Sequence, residues 1–346
     1  MAADERRVVA FLGPAGSYTH QAALDAFTKD QVTLSPQVSI ADVFTAVQNG
    51  AAYRGVVPFE NSSNGSVVST LDLIGDVHNQ HPDILVCGEA YVAVQHCLVG
   101  HAWPTATGGG GGGGGGETTH PLSHIQRLYS HPQAWGQCTA FLAARLPGIE
   151  RLDVSSTSRA AHLVACDETR RSAALSSRVA AQLVGLDVLA HNVNDRPGNT
   201  TRFLVIGRRA DVHNTVFLLS SPSPSSPAPK HDDDDDQQEE EEEEEEKEEE
   251  KEASYKTLVT FTVDHAHPGA LALCLAVFAK YGLNLTSINT RPSGVQNWHY
   301  LFFVELQGRR RRQQNGEGPV DCALRELHGV ARGSRWLGSW ESRLIE

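Results

Sequence analysis

The chain has 346 residues, a length that allows two or three domains with proper hydrophobic cores. Its formal net charge of −13 comes from one tract, because residues 230–252 contain five Asp, twelve Glu and three Lys, and the rest of the chain is nearly neutral. A nearly neutral folded part gives no argument for a nucleic-acid partner or an acidic one.

The cysteines and the apolar runs indicate the compartment. Six cysteines are scattered without a Cys-x-x-Cys pair, which favours reduced thiols over a disulfide framework or a zinc site. No apolar run is long enough to span a bilayer, and the first residues resemble neither a secretory signal nor a transit peptide. We therefore expect a soluble, cytoplasmic protein with no membrane partner.

Residues 8–207 alternate short apolar runs with helix-like stretches, the pattern of an α/β layer fold. A strand at 8–12 leads through the small residues of 13–19 into a helix at 20–27. Such a turn offers backbone N–H groups to an anion, although a tight structural turn is the more common reason for it. Further helices are predicted at 40–49, 67–74, 131–146, 159–166 and 178–184, and further strands at 54–58, 125–129, 152–154, 173–176 and 189–193. The segment 84–98 is interpreted as strand material, a long strand that crosses between subdomains being one form of it.

Two polar stretches border buried strands. Residues 59–66 are predicted to form a loop, with Ser66 as the cap of the next helix. Residues 199–203, Asn-Thr-Thr-Arg-Phe, follow a turn and enter an apolar strand. Because side chains alternate along a strand, Thr201 and Phe203 should share one face and Arg202 should point to the other. These side chains suit a small anionic ring-shaped substrate, but at a strand start they are more often structural.

The remaining segments are two insertions and a small C-terminal domain. Nine consecutive glycines at 108–116 predict a flexible surface insertion, and the Ser/Pro-rich and acidic residues of 209–255 predict a disordered linker. From residue 256 the predicted elements follow the ferredoxin-like order βαββαβ: strand 258–263, helix 269–281, strands 285–290 and 298–306, helix 320–328 and strand 335–340. Arginines 309–312 are interpreted as a solvated loop rather than a nucleic-acid patch.

Six short motifs occur in the order of a known family. They lie at 13–19, 58–62, 130–134, 156–157, 173–176 and 199–203. Followed by the βαββαβ module, they resemble prephenate dehydratase with a C-terminal ACT regulatory domain, over nearly the whole chain outside the two insertions. The resemblance implies an α/β, two-lobed, periplasmic-binding-protein-like catalytic domain at 6–208, the linker at 209–255 and a ferredoxin-like ACT domain at 256–346.

The resemblance also implies an activity and its residues. The family converts prephenate to phenylpyruvate by decarboxylative dehydration in L-phenylalanine biosynthesis, a carbon–oxygen lyase reaction that needs no cofactor and no metal. The Thr of its Thr-Arg-Phe motif is implicated in catalysis, a role that falls to Thr201. Expected substrate-binding residues are Asn61, Ser62, Gln133, Ser156, Thr157, Arg202 and Phe203. For Arg202, a structural ion pair is as good an interpretation as substrate binding. For Phe203, a place in the hydrophobic core is a better interpretation than substrate binding.

Family members bind phenylalanine as a feedback inhibitor at a subunit interface of the ACT domain. The corresponding residues here are Gly269, Ala270, Leu271, Asn289, Arg291 and Pro292. Asn289 stands where the family usually has Glu, which removes a carboxylate that could hold an ammonium group. We expect L-phenylalanine as an effector and a homodimer or homotetramer.

Two rival functions remain at this point. Arogenate dehydratase performs the same chemistry on the aminated substrate, but plant forms carry transit peptides. A non-enzymatic amino-acid-sensing binding protein would also suit two lobes and an ACT domain, but would have no need for Thr201. Because no chorismate-mutase helices precede residue 8, we expect a monofunctional enzyme.

Overall fold

The computed structural model describes residues 6–28, 30–103, 122–212, 254–311 and 316–344. The glycine run at 108–116 and the acidic tract at 232–252 lie outside the described residues. The two ends of the predicted linker are structured, since 209–212 form a short helix and a strand begins at Tyr255. The domain boundaries at 208/209 and 255/256 stay a prediction.

The first lobe is a mixed sheet with strand order β2-β1-β3-β11-β5, and β4 pairs with the end of β3. The strands β1, β2 and β3 are parallel, and β11 returns antiparallel between β3 and β5. Its elements are β1 Arg7–Leu12, α1 Tyr18–Ala26, β2 Val32–Gln37, α2 Ile40–Gln48, β3 Arg54–Asn61, β4 Gly65–Ser66, α3 Val68–Gly75, β5 Ile84–Ala93 and β11 Thr200–Arg208, followed by α8 Arg209–Val212.

The second lobe is a sheet with strand order β10-β6-β9-β7-β8. Its elements are β6 Cys97–Gly100, β7 Arg127–Ser130, α4 Pro132–Gln137, α5 Thr139–Arg145, β8 Glu150–Asp153, α6 Thr157–Ala165, β9 Ser172–Ser176, α7 Arg178–Val184 and β10 Asp187–Ala190. Three of these strands, β7, β8 and β9, are parallel, and a helix follows each of them. The carboxyl ends of parallel strands with following helices are where α/β folds bind ligands.

The chain crosses between the lobes twice, from β5 to β6 and from β10 to β11. The two crossings are bonded to each other, since Val94 N donates to Asn199 O at 2.7 Å and Val193 N donates to His96 O at 2.9 Å. The strand material predicted at 84–98 does cross between the lobes, but as two strands, β5 and β6, because its two halves belong to different sheets. Two lobes joined by paired crossings confirm the expected periplasmic-binding-protein-like arrangement.

The C-terminal domain has the predicted βαββαβ order, with strand order β13-β14-β12-β15. Its elements are β12 Tyr255–Thr262, α9 Ala270–Lys280, β13 Leu285–Pro292, β14 Tyr300–Gln307, α10 Pro319–Val330 and β15 Gly333–Glu341. One face of the sheet packs on the two helices through residues such as Phe261 and Phe278. The opposite face contributes Leu258 and Phe303 to the core of the first lobe, so the domain is docked on that lobe.

Three local predictions are corrected. The segment 59–66 is a tight hairpin rather than a loop, because β3 continues to Asn61 and pairs with β4. Ser66 does not cap α3, whose N-cap is Val67 without a side-chain bond, because the Ser66 hydroxyl donates instead to Asn289 Oδ1 at 2.7 Å. The helix predicted over 131–146 is divided at Cys138 into α4 and α5.

Candidate active site

The carboxyl end of β3 meets the start of β11 in a compact polar group. Asn61 lies opposite Thr201 in the antiparallel register. The Asn61 amide donates from Nδ2 to Thr201 Oγ1 at 3.0 Å and to Asn199 Oδ1 at 2.8 Å. Thr201 and Asn61 are both half-buried, so this group has an exposed side at which a ligand can bind.

The direction of the Asn61 amide is fixed by its own turn. Its Oδ1 accepts the backbone N–H groups of Ser63 and Asn64, both at 3.0 Å. With the oxygen bound in this way, the NH2 end must face Thr201. Because the Thr201 oxygen accepts a hydrogen from Asn61, the hydroxyl's own hydrogen is left to donate to a substrate. The arrangement makes Thr201 an oriented neutral donor.

Ser62 bonds to the strand that carries Thr201. Its backbone N–H donates to Thr200 O at 2.9 Å, and its Oγ accepts the Thr200 N–H at 2.9 Å and donates to Gly198 O at 3.4 Å. These bonds hold the entry of β11 against the end of β3. The binding of substrate by Ser62 stays a prediction.

Arg202 and Phe203 require a correction. Strand alternation holds as predicted, but Phe203 is 1% exposed and packs in the core behind β11 with Phe11 and Val56. Arg202 points to the opposite side, where its Nη2 lies 2.6 Å from Glu89 and 2.6 Å from Glu305. Both side chains are therefore occupied within the protein, and the expected substrate contacts are not present in this geometry.

Arg202 is part of a buried group of four charges, which we call the interdomain charge cluster: Arg202 and Glu89 of the first lobe with Lys256 and Glu305 of the C-terminal domain. Burial raises the pKa of the Glu89 carboxyl, but Arg202, the Arg343 N–H and Lys256 together outweigh it and leave that pKa below its usual value. Burial lowers the pKa of Arg202, and the two carboxylates reverse this and raise it. Glu89 and Arg202 are thus charged at neutral pH, and the cluster as a whole holds two acidic and two basic side chains.

The second lobe brings three of the predicted anchors to the carboxyl edge of its parallel strands. Gln133 is exposed at the start of α4, where His131 caps the helix. Ser156 is the N-cap of α6, with its Oγ accepting Arg159 N–H at 3.1 Å, and Thr157 opens that helix. The N-terminus of a helix favours an anion. These residues make no direct contact with Asn61 or Thr201, so a ligand that touches both groups would lie between the lobes.

The polar residues between the lobes include two that the sequence did not single out. The Tyr18 hydroxyl lies 3.1 Å from His96 Nδ1, and His96 Nε2 lies 2.8 Å from Gln137 Oε1. His96 is 3% exposed, and burial lowers its pKa. Burial also raises the pKa of the Tyr18 hydroxyl, so both groups are neutral near pH 7. The available signal for His96 was its place in a mainly apolar predicted strand, where Glu89 and Gln95 are polar as well.

The turn at 13–19 contacts the second lobe. The Ser177 hydroxyl donates to Gly16 O at 3.0 Å. Gly16 has a φ of +83°, and a Cβ there would lie 3.0 Å from Ala180 Cα. The glycine is therefore required both by the left-handed backbone and by the close approach of α7.

The six residues expected to bind phenylalanine are divided between two faces of the C-terminal sheet. Gly269, Ala270 and Leu271 form the start of α9 on the helix-covered face. Asn289 and Arg291 lie on the face toward the first lobe, where Asn289 accepts from Ser66 and Arg291 pairs with Asp72 at 2.6 Å. A cavity of about 320 Å³ adjoins Arg291 and Pro292 and is also lined by Asp72, Asp76, His81 and Phe303.

Within the described ranges there is no cluster of three or more His, Cys, Asp or Glu side chains that could hold a metal ion. All six cysteines are free. None of the helices in the described part of the chain is both long and apolar enough to cross a bilayer.

Comparison with known proteins identifies the family. The prephenate dehydratase family model matches residues 9–211. The chain is 31% identical to a bifunctional chorismate mutase/prephenate dehydratase of Aquifex aeolicus over 99% of this chain and 76% of the relative. It is 32% identical to a probable prephenate dehydratase of Saccharomyces cerevisiae over 92% of each chain.

A solved structure of similar fold agrees with this. The prephenate dehydratase of Arthrobacter aurescens in complex with L-Phe superimposes with a TM-score of 0.70 and 27% identity, covering 97% of this chain and 90% of that one. A family match over more than half of the chain and relatives above 30% identity leave one conclusion: the chain belongs to the prephenate dehydratase family of carbon–oxygen lyases.

Proposed function

We propose that Thr201 is the hydrogen-bond donor to the leaving hydroxyl in the decarboxylative dehydration of prephenate to phenylpyruvate. In this reaction the bond to the ring carboxylate breaks and CO2 leaves. Its electron pair enters the ring, and the C–O bond opposite breaks as the ring becomes aromatic. The departing hydroxide takes up one proton and leaves as water.

The Asn61–Thr201 hydrogen bond is the observation that carries this proposal. A neutral hydroxyl is a weak acid, so Thr201 acts by a hydrogen bond that strengthens as negative charge develops on the departing oxygen. Asn61 supports that role because it occupies a lone pair of the Thr201 oxygen and so directs the hydroxyl hydrogen outward. Positioned proton donation is typically worth about 10²–10⁴-fold in rate.

Prephenate is a dianion, and the second lobe offers neutral anchors for its carboxylates. The N-terminal end of α6, with Ser156 and Thr157, supports binding of one carboxylate, and Gln133 at the start of α4 is a further donor. Asn61 and Ser62 are proposed to contact the substrate from the first lobe. We assign no contact to Arg202 or Phe203.

Substitution of Thr201 tests the proposal. Thr201→Ala should leave the fold intact and lower kcat by about a hundredfold or more, a loss of about 2.7 kcal/mol in transition-state stabilisation. Thr201→Ser keeps the hydroxyl and is the matched control, for which most of the activity should remain. Near-normal phenylpyruvate formation by the Ala variant would remove Thr201 from the mechanism. Assaying both variants with prephenate and with arogenate decides which substrate the chain uses.

We further propose L-phenylalanine as an effector at residues 269–271 and 289–292. The Arthrobacter aurescens relative is described in complex with L-Phe, which supports this. The two groups of residues lie on opposite faces of one sheet, so a second subunit would have to complete the site, in line with a homodimer or homotetramer. Isothermal titration and sedimentation with and without phenylalanine are the tests. No heat of binding at millimolar concentration would exclude the effector.

Two minor proposals concern the protein as a whole. We propose that it has dehydratase activity alone, supported by the match over 92% of each chain to the Saccharomyces cerevisiae relative, which is named only as a probable prephenate dehydratase. An assay with chorismate should show no prephenate formation. We also propose a cytoplasmic location, supported by the six free cysteines. Cell fractionation checks the location.

A further inference from the structure

The interdomain charge cluster lies directly behind the proposed catalytic group. Arg202 follows Thr201 in β11, and its guanidinium is held by one carboxylate from each domain. The four side chains, two acidic and two basic, are only 1–7% exposed. Burying four charges where two domains meet is costly unless each is paired, so the cluster demands a fixed geometry.

Every carboxylate oxygen in the cluster has a partner. Glu89 Oε2 accepts Arg202 Nε at 2.9 Å and Nη2 at 2.6 Å. Glu89 Oε1 accepts Arg343 N–H at 2.9 Å and lies 3.4 Å from Lys256 Nζ. Glu305 Oε2 accepts Arg202 Nη2 at 2.6 Å.

The outer partners belong to the C-terminal domain. Glu305 Oε1 accepts the Thr286 hydroxyl at 2.8 Å and lies 3.7 Å from Lys256 Nζ. The Lys256 ammonium also donates to the Tyr91 hydroxyl at 3.2 Å. The C-terminal domain therefore supplies one anion and one cation that complete the surroundings of Arg202.

The strand pairing shows why the position of Arg202 affects Thr201. Between β11 and β3 the register slips by one residue, from Arg202 opposite Glu60 to Phe203 opposite Pro58. Phe59 is thus an extra residue on β3, and the Arg202 guanidinium lies 5.4 Å from its ring centre. A bulge of this kind interrupts the ladder and re-aims the neighbouring side chains.

The bulge separates the Asn61–Thr201 pair from the regular part of the β3–β11 ladder. Pairing of β11 with β5 runs without interruption from Thr200 to Val205. The pairing that can shift near the bulge is therefore the one between β11 and β3, the strand that carries Asn61. On this basis we propose that Glu305 and Lys256 are positioning residues for the reaction. They hold Arg202 over the bulge and thereby fix the distance between Asn61 and Thr201. This inference rests on the proposed role of Thr201.

The decisive experiment separates positioning from stability. In Glu305→Gln, Glu89 is the one carboxylate of the cluster left to pair with Arg202 and Lys256. This variant should therefore have a lower melting temperature and a lower kcat. In the double variant Glu305→Gln/Lys256→Met one charge of each sign is removed, so the melting temperature should recover. The kcat should not recover, because Arg202 still lacks its second anchor. A fall in kcat of about 10- to 100-fold is expected for a small displacement of a positioned group, with little change in KM.

The control is another contact between the same two domains. Arg335 of β15 donates from Nη2 to Ile74 O of α3 at 3.0 Å, and its Nη1 lies 3.8 Å from Oδ2 of Asp76 at the end of that helix. Arg335→Gln should lower the melting temperature and leave kcat of the full-length chain unchanged. If the double variant recovers kcat together with stability, or if Arg335→Gln loses as much kcat as Glu305→Gln, the positioning role is wrong.

Measurements on Thr201→Ala distinguish this inference from the proposal beneath it. If Thr201→Ala keeps a measurable kcat about a hundredfold below that of the unchanged enzyme, and adding Glu305→Gln lowers it no further, the two changes act through one group, as expected. If Thr201→Ala is inactive and Glu305→Gln has normal kcat, only the positioning role fails. If Thr201→Ala has normal kcat, the role of Thr201 and the positioning inference both fail.

Discussion

Asn61→Asp is the sharpest perturbation of the candidate site, because it changes one NH2 group to oxygen without changing shape. In the structure that NH2 donates to Thr201 Oγ1, Asn199 Oδ1 and Thr200 O, at 3.0, 2.8 and 3.3 Å. An aspartate oxygen in its place would face three acceptors. Thr201 would relieve one of these conflicts by turning its hydroxyl hydrogen toward the carboxylate.

The magnitude follows from that rotation. A hydroxyl that donates to residue 61 no longer donates to the departing oxygen, so kcat should fall by about 10²–10⁴-fold, the usual value of positioned proton donation. Each lost neutral hydrogen bond costs about 0.5–1.5 kcal/mol. The N–H groups of Ser63 and Asn64 still donate to residue 61 and offset part of this loss. We expect a destabilisation of about 1–3 kcal/mol, which leaves the chain folded.

The assay compares Asn61→Asp with Asn61→Ala in steady-state phenylpyruvate formation. Alanine removes the donor but takes no hydrogen from Thr201, so its kcat should stay above that of the aspartate variant. The added negative charge should also raise KM for the dianionic substrate, separately from kcat. Equal kcat values for the two variants, or an aspartate variant as active as the unchanged enzyme, would refute the orientation of Thr201 by Asn61.

Three further predictions concern other parts of the chain. Gly16→Ala should lower stability by about 1–2 kcal/mol, the cost of a left-handed non-glycine residue, and more if Ala180 cannot move; an unchanged denaturation midpoint would contradict this. Burial lowers the pKa of His96 below 6.5, so the unfolded chain binds the proton first and stability is lost as the pH falls from about 6.5 through the folded pKa. His96→Gln should flatten that loss in melting temperature between pH 7 and 5, and an unchanged slope would exclude His96 as a cause. Deleting 108–116 and 232–252 should leave kcat nearly unchanged, and a large loss in the assay would show that one of them has a role.

The sequence predicts correctly the bounds of those elements whose first and last residues carry capping signals. The helix predicted at 178–184 begins and ends there, because Ser177 caps its start and Gly185 adopts the left-handed conformation at its end. The βαββαβ order of the C-terminal domain was equally readable from strand alternation. At the candidate site, the alternation of Thr201 and Phe203 against Arg202 was predicted correctly from the period of a strand.

What the sequence could not provide are partners that are distant along the chain. The mainly apolar run at 84–98 has one local pattern, but whether its halves share a sheet depends on β9 and β11, which begin only at residues 172 and 200. In the same way, the partners of Arg202 lie 113 and 103 residues away. A guanidinium beside a catalytic residue suits a substrate carboxylate as well as a protein one. Only the fold decides between them.

The contacts between the first lobe and the C-terminal domain differ in strength. A regulatory movement would therefore break the weaker contacts before the stronger ones. The Arg291–Asp72 pair is partly exposed, and such pairs contribute about 0–1 kcal/mol. Breaking the buried pairs of Arg202 by loss of one partner would cost about 3–5 kcal/mol. If phenylalanine binds at β13 as proposed, we expect Asn289 to separate from Ser66 and Arg291 from Asp72 while Arg202 stays paired. Ser66 would then transmit the movement to the β3–β4 hairpin, which carries Asn61. Arg202 would stay in place during this movement.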